Sequence, residues 1–451
     1  MLKIILSTLL IASLFSDEIK VASSIQMQEE PISYTITAGN GPVSYIAYTR
    51  EGVNRPITFA FNGGPGSSSV WLHLGVFGPK RVLSTEEGQS LTPPYQIIDN
   101  QETILDITDL VFIDPPGTGF STPPGEEQKD AYSLNGDIRL VGNFIRDYLI
   151  KEQRWNSPKY IAGESYGGMR AVGVAEYLQS EFGIYLNGLV LISPVVDYQT
   201  ISFSPDNPLP FLLYIPTYAA TAWHHGFYKS EKTLEEVVEA AKDFAYNNYA
   251  KAILDPKRFS LEELYPDLAE ICGVSEEFLK TYKGHIYDAA FQSELLKRQG
   301  KVIGRFDSRI TAHGHAFHPL QDPSCDGIEG IFSAAIHDYL QKELNIHTPY
   351  TAISMQINQN WDFQPNLFIG APNLMNSLRS AVKKNPELKI FVGCGYFDLA
   401  TPIATVEYSM NHADIPDNCL QTQYYRGGHM YYLTSKERVK FKKDLVQFYG
   451  N

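Results

Sequence analysis

The stretch Gly163-Glu164-Ser165-Tyr166-Gly167 follows a short apolar run, Tyr160-Ile161-Ala162, and precedes a segment of helical period from Met169 to Leu178. A serine placed this way sits on a tight turn from strand to helix. Such a turn holds the serine in an unfavourable backbone conformation, and side chains two residues to either side would collide with it. Glycine at 163 and 167 meets that demand, so the pattern predicts a nucleophile raised above the end of a strand. The motif is short, and its companions decide what it means.

A hydrolase site of this kind needs an acid and then a histidine after the serine, each on a loop beyond a late strand. Leu388 to Cys394 reads as a buried strand running into Gly395-Tyr396-Phe397-Asp398, with Pro402 closing the turn. Thr422 to Tyr425 reads as another strand, followed by Arg426-Gly427-Gly428-His429-Met430. Asp398 is the candidate acid. His429, on a backbone freed to bend by paired glycines, is the candidate base.

A third element is Phe59-Ala60-Phe61-Asn62-Gly63-Gly64-Pro65-Gly66-Ser67-Ser68-Ser69, a glycine-rich loop after the apolar strand Ile57 to Phe61. Exposed backbone N–H groups in such a loop bind anions, and a phosphate is one reading. The loop lacks the lysine and the spacing of a phosphate-binding loop. The same amides serve a serine hydrolase by stabilising a tetrahedral oxyanion.

Together, Asn-Gly-Gly-Pro-Gly-Ser-Ser at 62–68, Ile113-Asp114-Pro115-Pro116-Gly117-Thr118-Gly119-Phe120-Ser121, Gly-Glu-Ser-Tyr-Gly-Gly at 163–168, Gly-Tyr-Phe-Asp at 395–398 and Gly-Gly-His-Met at 427–430 resemble the serine carboxypeptidase family, in the family's order. The resemblance implies an α/β-hydrolase fold: a central, mostly parallel sheet with a largely helical cap insertion. It implies Ser165 as nucleophile, His429 as general base and then acid, and Asp398 as the group that orients the imidazole. The amides of Gly64 and Tyr166 would form the oxyanion hole, while Asn62, Gly63 and Glu164 would grip the substrate's terminal carboxylate. An anionic glutamate cannot favourably face an anionic carboxylate, so Glu164 should bind only when the two share a proton, and binding should weaken as pH rises.

The chain also departs from better-known members. Ser67 stands where many have cysteine, and Ala60 where many have tryptophan. Val76 stands where the family carries a second glutamate that helps hold the first. The triad is untouched, but the carboxylate grip and its pH dependence are open to change.

At 451 residues the chain suits one hydrolase core with an insertion. A formal charge of −14 argues against nucleic acid and against an anionic membrane surface. Residues 1–16 have one lysine, an apolar middle and small residues before the acidic pair Asp17-Glu18, the outline of a secretory signal peptide. The apolar run is short for a membrane span, so no stable span is expected after its removal. Export to a periplasm, an extracellular space or an acidic organelle is expected. The four cysteines allow three pairings. A Cys394–Cys419 bond would staple the two catalytic loops and leave Cys272 with Cys325; four buried free thiols are the other reading.

The expected organisation is a core from 30 to 197, a cap from 198 to 380 and the rest of the core from 381 to 451. Sheet strands read from Ile32 to Ala47 around a turn at 39–42, then Ile57 to Phe61, Thr108 to Ile113, Lys159 to Ala162 and Leu186 to Ile192. In the cap, Leu234 to Leu254 has one apolar face, and Ser260-Leu261-Glu262-Glu263 reads as a helix-capping box. Cap aromatics including Phe211, Tyr214, Tyr218, Trp223, Tyr246, Tyr249, Trp361 and Phe363 are expected mostly in its core, with some lining substrate pockets. His313, His315 and His318 read as a loop rather than a metal site, because no acidic or cysteine partner completes a familiar set and the chemistry needs neither metal nor other cofactor. Arg305 to Arg309 reads as an ion-paired loop.

The sequence thus points to an exported serine-type carboxypeptidase acting on peptides with a free C-terminus, of open oligomeric state. An esterase or an acyltransferase would use the same triad. A catalytically dead binding protein on the same scaffold is disfavoured by the presence of all three triad residues.

Overall fold

The computed structural model describes residues 18–450 apart from 28–29, 90, 123–124, 126–127, 229–230, 319–320 and 365–369. The expected signal peptide at 1–16 lies outside the described residues.

Among the described residues, nine strands form one sheet. In chain order they are β1 (Ile19–Met27), β2 (Glu30–Gly39), β3 (Ser44–Thr49), β4 (Ile57–Phe61), β7 (Asp109–Asp114), β8 (Lys159–Glu164), β9 (Gly188–Ile192), β12 (Lys389–Gly395) and β13 (Leu420–Tyr425). Two short ribbons, β5 (Lys80–Val82) with β6 (Ile97–Asp99) and β10 (Lys301–Ile303) with β11 (Thr311–His313), lie apart from it. The spatial order is β1-β2-β3-β7-β4-β8-β9-β12-β13. The first three strands and the β3–β7 pair are antiparallel, and every pair from β7 to β13 is parallel.

Successive residues of the central strands point to opposite faces, which is why these strands read as continuous apolar runs. Phe59, Phe61, Ile161, Leu189, Leu191, Ile390 and Val392 meet the helices Leu134–Lys151, Tyr166–Phe182 and Met375–Lys384 on one side. Ala60, Ala162, Val190, Ile192 and Phe391 meet Pro323–Leu344 and Ser435–Gly450 on the other. Full burial of each large side chain contributes about 1.5–3 kcal/mol.

Between β9 and β12 a third cluster gathers Phe211, Tyr214, Tyr218, Tyr249, Leu268 and Phe291. Its helix Leu234–Phe244 begins at a capping box made by Thr233 and Glu236. The expected box at Ser260 does not form: Glu262–Leu264 is a single 3-10 turn with Leu261 at its N-cap and no side-chain cap. The helix Pro323–Leu344, also from this stretch, packs against the sheet core rather than into the third cluster.

The Cys394–Cys419 bond is also overturned, since all four cysteines are free thiols. β12 and β13 are parallel with Ile390 opposite Leu420. That register sets Cys419 level with Lys389, five residues before Cys394, or about 16 Å at the usual strand rise. A disulfide spans Cα atoms less than about 7 Å apart. Cys272 packs in the third cluster, whereas Cys325 lies at the start of the helix Pro323–Leu344.

Candidate active site

β8 ends at Glu164 and the helix begins at Tyr166, leaving Ser165 between them at φ 61° and ψ −128°. This is a left-handed conformation that a non-glycine residue adopts only when its surroundings impose it. The surroundings here are close-packed backbone: a Cβ on Gly163 would lie 2.1 Å from the Gly167 carbonyl oxygen. The Ser165 amide donates to the Ile192 carbonyl at 3.0 Å, tying the turn to the end of β9.

Asp398 and His429 leave the same end of the sheet, after strands two and three places from β8. Gly395 pairs with Tyr425 at the ends of β12 and β13, and the pairing continues past the strands. The amides of Tyr396 and Phe397 donate to the carbonyls of Tyr425 and Gly427, each at 3.0 Å. This ladder carries Asp398 to His429, whose Nδ1 lies 2.7 Å from Asp398 Oδ2. Asp398 is fully buried and also accepts from the Ala400 amide (2.7 Å), the Thr401 amide (3.0 Å) and the Thr401 hydroxyl (2.7 Å). Burial pushes its carboxyl up, but the His429 charge and these donors outweigh burial and hold it below the usual range. Burial likewise pushes His429 down, and Asp398 with Glu164 raises it above 6.5. Among the described contacts, Ser165 and His429 form no side-chain hydrogen bond; such contacts commonly tighten only around substrate.

The Asn62 loop bears directly on this turn. A Cβ on Gly63 would lie 2.6 Å from the Tyr166 nitrogen and 2.7 Å from the Glu164 oxygen and the Gly167 nitrogen, so only glycine lets the loop approach. The Asn62 carbonyl accepts from Arg170 at 2.6 Å, and Arg170 pairs at 2.7 Å with Asp137, both side chains being fully buried. Asn62 Oδ1 accepts from the Leu72 amide at 3.1 Å, while its buried Nδ2 has no hydrogen-bond partner. Tyr166 is the first residue of its helix, where the backbone N–H has no partner within the helix. The Asp-Pro-Pro-Gly motif has a supporting place here. Asp114 Oδ1 accepts from the Ser69 amide (3.0 Å), the Ser69 hydroxyl (2.9 Å) and Tyr350 (2.8 Å), anchoring the far end of the loop.

Glu164 is buried, with Oε2 accepting from the Tyr432 hydroxyl at 2.6 Å. Burial pushes its carboxyl up to about 7, against the lowering effect of His429, Tyr432 and Asn62 and with a further rise from Asp398. Val76 is buried, and its carbonyl accepts from Asn100 at 2.6 Å.

Several residues at the site carry no local sequence signal. Thr401 links Asp398 to the Ser193 carbonyl (2.9 Å), and the Ser193 hydroxyl donates to the His429 carbonyl at 2.8 Å. Phe306 stacks on His429. Trp361 and Phe363 meet Tyr166 edge-on at 5.6 and 6.0 Å, Phe211, Tyr214, Tyr218 and Tyr249 are core, Trp223 is half-buried against it, and Tyr246, expected in the core, is exposed. Arg309 pairs with Asp307, whereas Arg305 lies 5.7 Å over the Phe306 ring. Among the described residues, no group of three or more His, Cys, Asp or Glu is arranged to hold a metal ion, and no helix is long and apolar enough to cross a membrane.

Over 151 residues the chain is 28% identical to serine carboxypeptidase-like 13 of Arabidopsis thaliana, covering 32% of this chain and 34% of that protein. Over 160 residues it is 28% identical to the pheromone-processing carboxypeptidase KEX1 of Yarrowia lipolytica, covering 34% of this chain and 24% of that one. The chain spans about a third of the length of the first curated relatives it matches. The crystal structure of a prohormone-processing carboxypeptidase, KEX1(delta)p from Saccharomyces cerevisiae, shares the fold at a TM-score of 0.56 and 15% identity, covering 96% of this chain and 91% of that one. The model of the serine carboxypeptidase family matches residues 45–427, and the chain belongs to that family.

Proposed function

We propose that this protein is a serine carboxypeptidase that releases the last residue from peptides with a free C-terminus. The observation that carries the reading is the pairing of Glu164, a buried carboxyl raised to about 7, with the unpartnered Nδ2 of Asn62, both against the Ser165 turn. A protonated carboxyl and a free amide donor make a neutral cradle for a terminal carboxylate. An esterase gains nothing from such a cradle.

In the proposed reaction, Ser165 Oγ attacks the carbonyl of the last peptide bond while His429 takes its proton. Asp398, bonded to Nδ1, holds the imidazole with Nε2 toward the serine and stabilises the imidazolium. The N–H groups of Gly64 and Tyr166 receive the developing oxyanion. His429 returns the proton to the leaving amine, the terminal amino acid departs from the Asn62, Gly63 and Glu164 cradle, and water resolves the acyl-enzyme. We propose export through the leader at 1–16 as the route to its substrates.

The test is turnover of an N-blocked dipeptide and of its C-terminal amide, with Ser165→Ala as control. Preferential release from the free acid, abolished in the control, is the expected result. Equal turnover of acid and amide would leave a serine hydrolase without the carboxypeptidase assignment. Transfer of the acyl group to an added alcohol in preference to water would mark an acyltransferase.

A further inference from the structure

We infer that Tyr432 is a positioning residue that fixes which oxygen of Glu164 carries the proton shared with substrate, an inference that rests on the carboxylate-cradle reading above. Tyr432 lies in the 3-10 turn Tyr431–Leu433, immediately after the His429 loop, and is fully buried. Its hydroxyl reaches Glu164 Oε2 at 2.6 Å across 268 positions of sequence.

Room for the ring is built into the opposite element. A Cβ on Gly75 would lie 2.9 Å from Tyr432 Cε2, so a larger residue at 75 would push the ring aside. The turn itself is held from behind by Arg438, whose NH1 donates to the carbonyls of Tyr432 and Leu433, each at 3.3 Å. Phenol and carboxyl are thus held from both sides.

A phenol donates one proton, and a neutral carboxyl has one acceptor oxygen of the carbonyl type and one hydroxyl oxygen. With Tyr432 donating to Oε2, that oxygen takes the carbonyl role and the carboxyl proton falls to Oε1. Oε1 is then the oxygen available to share its proton with the substrate carboxylate. Burial keeps the Tyr432 phenol neutral far into the alkaline range, so it adds no titration of its own. The groups that face Glu164 are Asn62 from the glycine loop, Asp398 and His429 from the catalytic loops, and Tyr431 with Tyr432 from the turn. Of these, Tyr432 makes the short hydrogen bond at 2.6 Å, and the Asn62 amide stands beside the same carboxyl.

The phenol also favours the charged form of Glu164. Removing it should therefore raise the pH at which the cradle loses its proton while loosening the carboxyl's orientation. The test uses the full chain and follows kcat and KM for the N-blocked dipeptide acid and its amide from acidic to alkaline pH. The wild type, Glu164→Gln and Tyr432→Phe are compared, with active sites counted by a fluorophosphonate probe. Tyr432→Phe is expected to lower the acid-to-amide ratio of kcat/KM about tenfold, the scale of one charge-assisted hydrogen bond, chiefly through KM. It should also move the alkaline rise in KM to higher pH. Gly75→Ala, which displaces the ring without removing the hydroxyl, should lower the same ratio.

An unchanged ratio and an unmoved pH profile in Tyr432→Phe would overturn the inference, as would an equal fall for acid and amide, the mark of a merely structural role. The cradle itself is read separately. If the wild type does not prefer the acid, or if Glu164→Gln leaves the alkaline rise in KM intact, the cradle reading falls and the inference falls with it.

Discussion

Phe306 lies flat against the imidazole of His429, with ring centroids 4.9 Å apart and planes 17° from parallel, and its carbonyl accepts the His429 backbone N–H. The loop that carries Phe306 is itself fixed by the start of the helix Pro323–Leu344. Asp322 and Ser324 accept from the Phe306 amide at 3.3 and 3.0 Å. The segment between β9 and β12 therefore makes direct contact with the candidate base.

Phe306→Ala should free one face of the imidazole and let it rotate away from the serine. Misplacement by about an ångström costs up to about a hundredfold in rate. The expected result is a fall of about tenfold to a hundredfold in kcat with little change in KM, read by steady-state kinetics. An unchanged kcat would show that Asp398 and Ser193 alone hold His429.

Glu164 gives a stability prediction with a definite sign. Its carboxyl titrates at about 7 in the folded protein against an ordinary 4.5. Between those values the folded state holds a proton that the unfolded state has lost, so stability is full below about 4.5 and falls as pH rises through about 7. The size is about 3 kcal/mol. Glu164→Gln removes the titration. Its melting temperature relative to wild type should therefore be higher above pH 7 than at acidic pH, and a difference independent of pH would refute the assignment.

Arg170→Met should be strongly destabilising, by about 3–5 kcal/mol, because it removes the cation from the buried Asp137 carboxyl and leaves it only the Tyr166 hydroxyl. The double variant Arg170→Met with Asp137→Leu should recover much of that stability in a denaturant titration. Activity should stay low in both, since the Asn62 carbonyl has lost its donor. Recovery of activity together with stability would separate Arg170 from the loop's geometry.

Ser165→Gly should unfold at a higher temperature than Ser165→Ala. Both remove the hydroxyl, but only glycine relieves the left-handed backbone at 165, a strain of about 1–3 kcal/mol. Neither should be labelled by a fluorophosphonate. Equal melting temperatures would mean that the turn holds Ser165 without strain.

The parallel strands were legible because burial on both faces makes them largely apolar runs: Ile57 to Phe61 is β4, and Leu186 to Ile192 and Leu388 to Cys394 match β9 and β12 to within two residues at either end. β1 gives no such sign. Along Ile19–Met27 only Ile25 is buried, so its pattern is that of a polar segment held by backbone pairing with β2. Thr233-Leu234-Glu235-Glu236 and Ser260-Leu261-Glu262-Glu263 offer the same local capping signal and both precede helical backbone, but only at the first does the side-chain box form; the second opens as a 3-10 turn that runs uncapped into Tyr265–Cys272. The turn at Ser165 was readable because glycine spacing is local. Tyr432, Phe306 and Thr401 were not, because each meets its partner through the fold and nothing in its own neighbourhood requires that contact.

The contact of Gly63 with the Ser165 turn joins two tasks in one rigid piece. In the proposed reaction Asn62, on one side of Gly63, serves recognition of the substrate's end, and Gly64, on the other, serves the chemistry. With Gly63 pressed against the backbone of residues 164–167, neither neighbour can shift without carrying the other. On the proposed function, retuning toward longer or blocked substrates would thus be hard to achieve by adjusting the loop. Mutational freedom lies instead with the side chains around Glu164, where the grip can change while the oxyanion donors stay still.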